Sequence, residues 1–383
     1  MVLAGKLLRL VPTLFIVLGI LRSALPGAAT LHFVASLPLD GPAKRIYILP
    51  DKTGWFVGVH GIWRTADAGR SWVNSLAVGT PSSLSSQVVD ADFQGDHGFV
   101  LSSEQLSRAF GSVATWEKLP ATPFSKSRGV AEGLHLSPDG RRIWIYGGIY
   151  RNLTKDEDAP NFAVTARDGK RLVLEAAVFI SLDGGENWSP QPLPNPGEAE
   201  ARYVTRGMSV DRSGHAVTFG ESWICFSNDL GTHWNAGYIF DSEGKNEEDF
   251  SEGRYQLRHV QLLGDGVGLL SADNGAIYRT IDAGKTWHQS LPVGSIRSRS
   301  SARSSWFTSM VFSSDLHGFG TDISGLLFET RDRGMTWHSV AIQPQIELDT
   351  LGQTGASVWT CSKGALYSIE EGGVPVPPKR FRE

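Results

Sequence analysis

The feature that most constrains this chain is a short phrase that recurs along it. Five segments share Ser/Thr-x-Asp-x-Gly-x-x-Trp: Thr65 to Trp72, Ser181 to Trp188, Ser227 to Trp234, Thr280 to Trp287 and Thr330 to Trp337. Two degenerate copies extend the series. SRAFGSVATW, from Ser107, lacks the aspartate and carries two extra residues, while SIEEGG, from Ser368, has no tryptophan. A sustained repeat means stacked copies of one supersecondary unit, so it decides the fold class before any local assignment. The spacing suits four-stranded blades, which need about 40 to 50 residues each. The one long interval, between Ser107 and Ser181, then holds a blade plus an insertion at about residues 150–174.

Ahead of each phrase lie alternating apolar runs broken by Gly or Asn-Gly, as in GVGLLSADNGAIYRT before Asp282. These read as hairpins. With one strand further upstream and the tryptophan strand downstream, each repeat supplies four antiparallel strands, and the phrase is the turn between the third and fourth. In such a turn aspartate accepts backbone N–H groups, glycine supplies a positive φ, and the indole buries against the neighbouring sheet. Asp67, Trp72, Asp183, Trp188, Asp229, Trp234, Asp282, Trp287, Asp332 and Trp337 are therefore assigned to structure. The last repeat lacks its own fourth strand, but LHFVASLPLD near the N-terminus matches the strands WHQSLPVGS and WVNSLAVGT that follow other phrases. The expected fold is all-β: a seven-bladed β-propeller of four-stranded antiparallel blades, closed by an N-terminal strand within Leu31 to Leu39. Closure leaves no open sheet edge around the ring.

These phrases resemble the Asp-box, or BNR, repeats of the sialidase-like propeller superfamily. The form at Gly275 to Trp287 and Gly325 to Trp337, Gly-x-Ile/Leu-x-x-Thr-x-Asp-x-Gly-x-Thr-Trp, is most similar to the seven-bladed propellers related to the photosystem II assembly and stability factor. That resemblance implies a noncatalytic scaffold that binds a protein or assists complex assembly. The rival it raises is a glycan-active hydrolase, sialidase-like or another glycosidase. A sialidase would carry Arg-Ile-Pro early in its propeller, and the nearest match, Arg45-Ile46-Tyr47, lacks the proline.

Blade geometry divides the loops between two faces. The second-to-third turns and the blade connections open on one, and the Asp boxes on the other. The first is the expected binding face. It would present His60, Glu104, Glu221, Asp273, Asp322 and Lys363 in turns, and Arg128, Arg206, Arg254, Arg258 and the Ser/Arg stretch with Arg297, Arg299 and Arg303 in connections. Arginine suits a protein interface because its planar donor fork binds carboxylates in pairs. Glu221, Asp273 and Asp322 occupy equivalent turns and are the catalytic candidates, since glycoside hydrolysis needs two carboxyl groups about 5 to 10 Å apart. No compact ligand spacing supports a metal, and no phosphate loop or Gly-x-Ser-x-Gly element is present, so no cofactor is expected.

Residues 1–29 read as a signal peptide: Lys6 and Arg9 precede an apolar run from Leu10 to Leu21, and small residues follow at Gly27 and Ala29. The run is shorter than the ~20 residues that cross a bilayer. The expected product is exported, periplasmic or secreted, with residues 30–383 as one propeller domain and no membrane span. Losing Lys6, Arg9 and Arg22 takes the formal charge from −4 to −7, which suits a protein partner, or a glycan, better than nucleic acid. Cys225 and Cys361 fall in blades four and seven, too far apart for a disulfide, which needs Cα atoms within about 7 Å.

Overall fold

In the computed structural model, residues 29–38, 41–78, 87–95, 97–103, 105–110, 115–153, 163–194, 204–241, 243–245, 255–292, 294–296 and 305–370 are described. The chain opens with β1 (Ala29–Ser36), whose partners come from the far end of the sequence. Blade one follows as β2 (Arg45–Ile48), β3 (Gly54–Val57), β4 (Gly61–Thr65) and β5 (Val73–Ala77). Blade two is β6 (Val88–Gln94), β7 (His97–Ser102), β8 (Leu106–Phe110) and β9 (Thr115–Lys118). One helical turn, α1 (Pro123–Lys126), capped by Thr122, leads into blade three: β10 (Gly129–Leu136), β11 (Ile143–Asn152), β12 (Val164–Thr165), β13 (Arg171–Ser181) and β14 (Ser189–Gln191).

Blade four is β15 (Gly207–Val210), β16 (Ala216–Phe219), β17 (Ile224–Ser227) and β18 (Asn235–Ala236). Blade five holds β19 (Tyr238–Phe240), β20 (Leu257–Gly264), β21 (Val267–Ala272), β22 (Ile277–Thr280) and β23 (Thr286–Leu291). Blade six is β24 (Phe307–Phe312), β25 (Gly318–Asp322), β26 (Leu327–Thr330) and β27 (His338–Val340). Blade seven joins β28 (Ile342–Gln343), β29 (Thr350–Thr354), β30 (Ser357–Ser362) and β31 (Ala365–Glu370) to β1.

The ring closes as the sequence predicts. β1 lies antiparallel to β31, with Thr30 opposite Glu370 and Ser36 opposite Ala365. Its other edge is also paired, by the short parallel strand β28, where Ala29 faces Ile342. Blade five gains a similar strap: β19, leaving blade four, runs parallel to β23 on the outer edge before the chain returns inward. These two outer strands were not expected.

Strand register corrects two boxes. The hydroxyl residue of each full box ends its strand opposite the first or second residue of the preceding one, as Thr65 faces Gly54 and Thr280 faces Gly268. In blade two that position belongs to Ala109, opposite Gly98, while Ser107 sits within β8 opposite Val100. The degenerate box is therefore Ala109 to Trp116, with the ordinary spacing and no extra residues. Ser368 likewise lies inside β31, between Trp359 and His32, two residues short of the strand end. The residues beyond Glu370 lie outside those described.

The core is divided into seven seams, one between each pair of neighbouring blades. Val217, Phe219 and Phe226 of blade four pack with Leu262, Tyr278 and Trp287 of blade five, and Leu37 beside β1, Leu366 and Cys361 pack with Ile46, Ile48 and Phe56 across the closing seam. Alternation along each strand supplies both seams of a blade from its two faces. Cys225 lies in the seam of blades three and four, Cys361 in that of blades seven and one, and both are buried and outside any disulfide.

Candidate functional site

The box turns show what the recurrent residues do locally. Asp67 accepts hydrogen bonds from the Thr65 hydroxyl (2.8 Å) and the Ser71 N–H (2.9 Å), while Thr65 Oγ1 accepts the Gly69 N–H (2.9 Å). The Trp72 indole N–H donates to the Gly69 carbonyl at 2.9 Å, and Trp188 and Trp287 repeat the bond. The box glycine is constrained twice. Gly284 has φ +92°, and a Cβ there would lie 2.4 Å from Val217 of the preceding blade; at Gly334 the corresponding approach is 2.5 Å, to Leu269. Each turn thus docks on the seam behind it.

These bonds hold the box carboxylates ionised. Asp67 is lowered to about 2, first by the Ser71 hydroxyl and N–H, and Asp183 to about 2 by the Asn187 N–H and amide. A carboxylate lowered by folding stabilises the protein above its unfolded pKa of about 4 and loses that contribution as pH falls toward 2. Burial acts on His259 of β20, which is lowered to about 4, with Arg45 adding to the effect. For that neutral imidazole the loss runs between about pH 6.5 and 4, because the unfolded chain then binds the extra proton. Thermal midpoints are expected to fall in two successive acid ranges. Burial also lowers His135, so His259→Phe should shrink the upper fall and leave the lower one as it is; an unchanged profile would refute the assignment.

The loop face gathers the sequence-predicted polar residues. His60, Glu221, Asp273, Asp322 and Lys363 all stand in or beside second-to-third turns, but each carboxylate is engaged separately. Arg206 reaches Glu221 at 2.6 Å and Glu132 of β10 at 2.8 Å, joining blades three and four. Asp273 accepts the Gln256 N–H (2.9 Å) and Arg258 (3.0 Å). Asp322 is buried and accepts from the Ser305 hydroxyl (2.8 Å) and the Ser324 and Leu326 N–H groups (3.0 and 2.8 Å). Lys363 pairs loosely with Glu347 at 3.8 Å on the lip of a cleft of about 350 Å³ between blades six and seven. Glu104, Arg254, Arg297, Arg299 and Arg303 lie outside the described residues.

Two features of this side escaped the sequence reading. Arg258 lies over the Trp306 ring, 4.9 Å from its centroid, so an arginine and an aromatic form one surface beside the end of the Ser/Arg stretch. Deeper in the channel wall, Asp90 and Asp92 of β6 bind across to blade three, accepting the Leu134 and Leu136 N–H groups at 3.2 and 3.0 Å. Arg45 pairs with Asp90 at 3.0 Å, Tyr47 donates to Asp92 at 3.3 Å, and His135 stands 3.3 Å from Asp92. The alternation in VVDADF was the available signal, two acidic residues on one side of an inner strand. Among the described residues, no three His, Cys, Asp or Glu side chains are grouped to hold a metal, and no helix is long and apolar enough to cross a membrane.

The BNR/Asp-box repeat model matches residues 179–190, the box of blade three. The photosystem II assembly lipoprotein Ycf48 of Synechococcus sp. (strain CC9902) is 25% identical over 201 residues, 50% of this chain and 51% of that protein. The match thus spans about half the length of that curated relative. The solved structure of YCF48 bound to D1 peptide is alike with a TM-score of 0.59 at 17% identity, covering 88% of this chain and 94% of that one. YCF48 from Cyanidioschyzon merolae gives 0.58 at 13% identity, over 90% and 99%. At such identities the structural likeness is one of fold. Seven blades with hydrogen-bonded Asp boxes define the class, an Asp-box β-propeller. Within that class the chain is similar in fold to the two solved YCF48 propellers.

Proposed function

We propose that residues 30–383 form one exported binding propeller whose loop face holds a polypeptide segment of a protein partner, in support of complex assembly and without catalysis there. The observation that carries this reading is the Arg258–Trp306 surface with Asp273, bordered by Arg206 and adjoining the stretch with Arg297, Arg299 and Arg303. Arginine and tryptophan are the residue types that dominate binding energy at protein interfaces, and here Arg258 is exposed and Trp306 half-buried. The resemblance to an assembly lipoprotein, and to a propeller whose structure was solved with a peptide, supports the same choice. The leader pattern supports export.

A photocrosslinking residue placed at Ile323, on the loop face, should capture a discrete partner in native extracts. Arg258→Glu, and separately Arg297→Ala/Arg299→Ala/Arg303→Ala, should each reduce capture by about fivefold or more while thermal melting stays unchanged. Undiminished capture in both would defeat the reading. Hydrolysis of a glycoside panel that disappears in Glu221→Gln, Asp273→Asn or Asp322→Asn would install the glycan-active alternative instead.

A further inference from the structure

We infer that the cleft between blades six and seven binds a free α-amino acid with an apolar side chain, held by Glu347 and Lys363. The inference does not rest on the reading of the Arg258–Trp306 surface, because the cleft lining shares none of that surface's residues. About 350 Å³ lies open between the blade-six turn at residues 324–326, the blade connection at 345–347 and the blade-seven turn at 362–363. Small-molecule sites begin at about 300 Å³, so the space suits a small ligand.

The walls of the cleft are fixed from beneath. The Asp322 carboxylate accepts the Ser324 and Leu326 N–H groups at 3.0 and 2.8 Å and the Ser324 and Ser305 hydroxyls at 3.0 and 2.8 Å. Gly325 has φ +73°, and a Cβ there would lie 2.5 Å from the Leu348 nitrogen. That nitrogen donates to the Gly325 carbonyl at 3.1 Å, which seals the blade-six turn against the connection. On the opposite wall Asp349 accepts the Lys363 and Ala43 N–H groups, and its own N–H donates to the Cys361 carbonyl at 2.8 Å. These bonds hold both turns without drawing on the side chains of Glu347 or Lys363.

The lip is built differently. Glu347 and Lys363 are 75% and 80% exposed and stand 3.8 Å apart, beyond hydrogen-bond length. Such an exposed pair adds little to stability, so opening it to admit a ligand costs little. Its charges select what enters. Glu347 repels a simple anion and Lys363 a simple cation, whereas a zwitterion satisfies both. The ammonium and carboxylate of an α-amino acid sit on one carbon, close enough to address two side chains that stand side by side. Leu326 and Ile346, both partly buried, offer the lining an apolar side chain would cover.

Titration calorimetry of the full chain would use L-leucine as the probe, beside N-acetyl-leucine, which lacks the ammonium, and leucinamide, which lacks the carboxylate. Leucine is expected to bind, and each analogue about tenfold more weakly or worse, the loss of one charged hydrogen-bonded contact. Lys363→Ala and Glu347→Ala should each weaken leucine binding by a similar factor. Both side chains are exposed, so the ligand-free variants should melt as wild type does. No binding of leucine, equal binding of the three compounds, or undiminished binding in both variants would each overturn the proposal. None of these results bears on partner capture at Ile323, so the two readings fail separately.

Discussion

Deleting Ala29–Ser36 is expected to abolish cooperative folding of the entire ring, not merely to loosen one blade. β1 is an interior strand of its sheet, hydrogen-bonded to β31 on one side and β28 on the other. Its Ala29 and Leu31 belong to the seam that also holds Leu327, Ile342 and Val358. Removal exposes two strand edges and opens that seam. The loss is comparable with the total stability of a domain, about 5–15 kcal/mol. Leu31→Ala alone should cost about 2–5 kcal/mol, the range for emptying a buried leucine site. Near-ultraviolet circular dichroism during heating reads both. A deletion variant that still melts cooperatively within a few degrees of wild type would show that closure is dispensable.

The second large effect is expected at Asp92. The residue is 4% exposed and serves Leu136 of the next blade, Tyr47 of the preceding one and its own neighbour Phe93. Asp92→Ala takes this acceptor from the buried Leu136 and Phe93 N–H groups and leaves Tyr47 only the Ala91 carbonyl, and unmet buried donors cost about 1–3 kcal/mol each. A loss of about 3 kcal/mol in urea unfolding is therefore expected, larger than for an exposed box carboxylate. Asp92→Asn retains one acceptor oxygen and should lose about half as much. Because Tyr47 and Asp92 touch, Tyr47→Phe should cost less in the Asp92→Ala background than alone. Additive effects would mean that the two residues act independently.

How much of this was legible beforehand depended on whether the information was local. The full boxes were plain because each contains its own aspartate, glycine and tryptophan within eight positions, and the turn needs nothing further away to form. The blade-two box was misplaced because only Trp116 of that set survives, so its start could be found only from the partner strand, where Gly98 faces Ala109. The closing strand was visible through likeness to the strands that begin at Trp72 and Trp287. β19 and β28 were not, since strands of three and two residues take their pairing from the edge they happen to pass.

The loop-face positions followed from chain direction alone, which is why His60, Glu221, Asp273, Asp322 and Lys363 were placed in their turns. What those carboxylates bind was not legible, because Arg206 and Arg258 reach them from other strands or from the adjoining blade connection. The Asp90–Asp92 latch was hidden for a related reason: its acceptors meet N–H groups contributed by another blade, 44 residues away. Sequence periodicity reports which way a side chain faces and says nothing of what it meets there.

The double pairing of β1 has a mechanical consequence. A pull on the N-terminal end of β1 runs along the strand and loads its hydrogen bonds with both β28 and β31 in parallel, in shear. Peeling, which breaks bonds one at a time, would require force across the strand. The strand that completes the seventh blade is thus placed to carry tension without unzipping it.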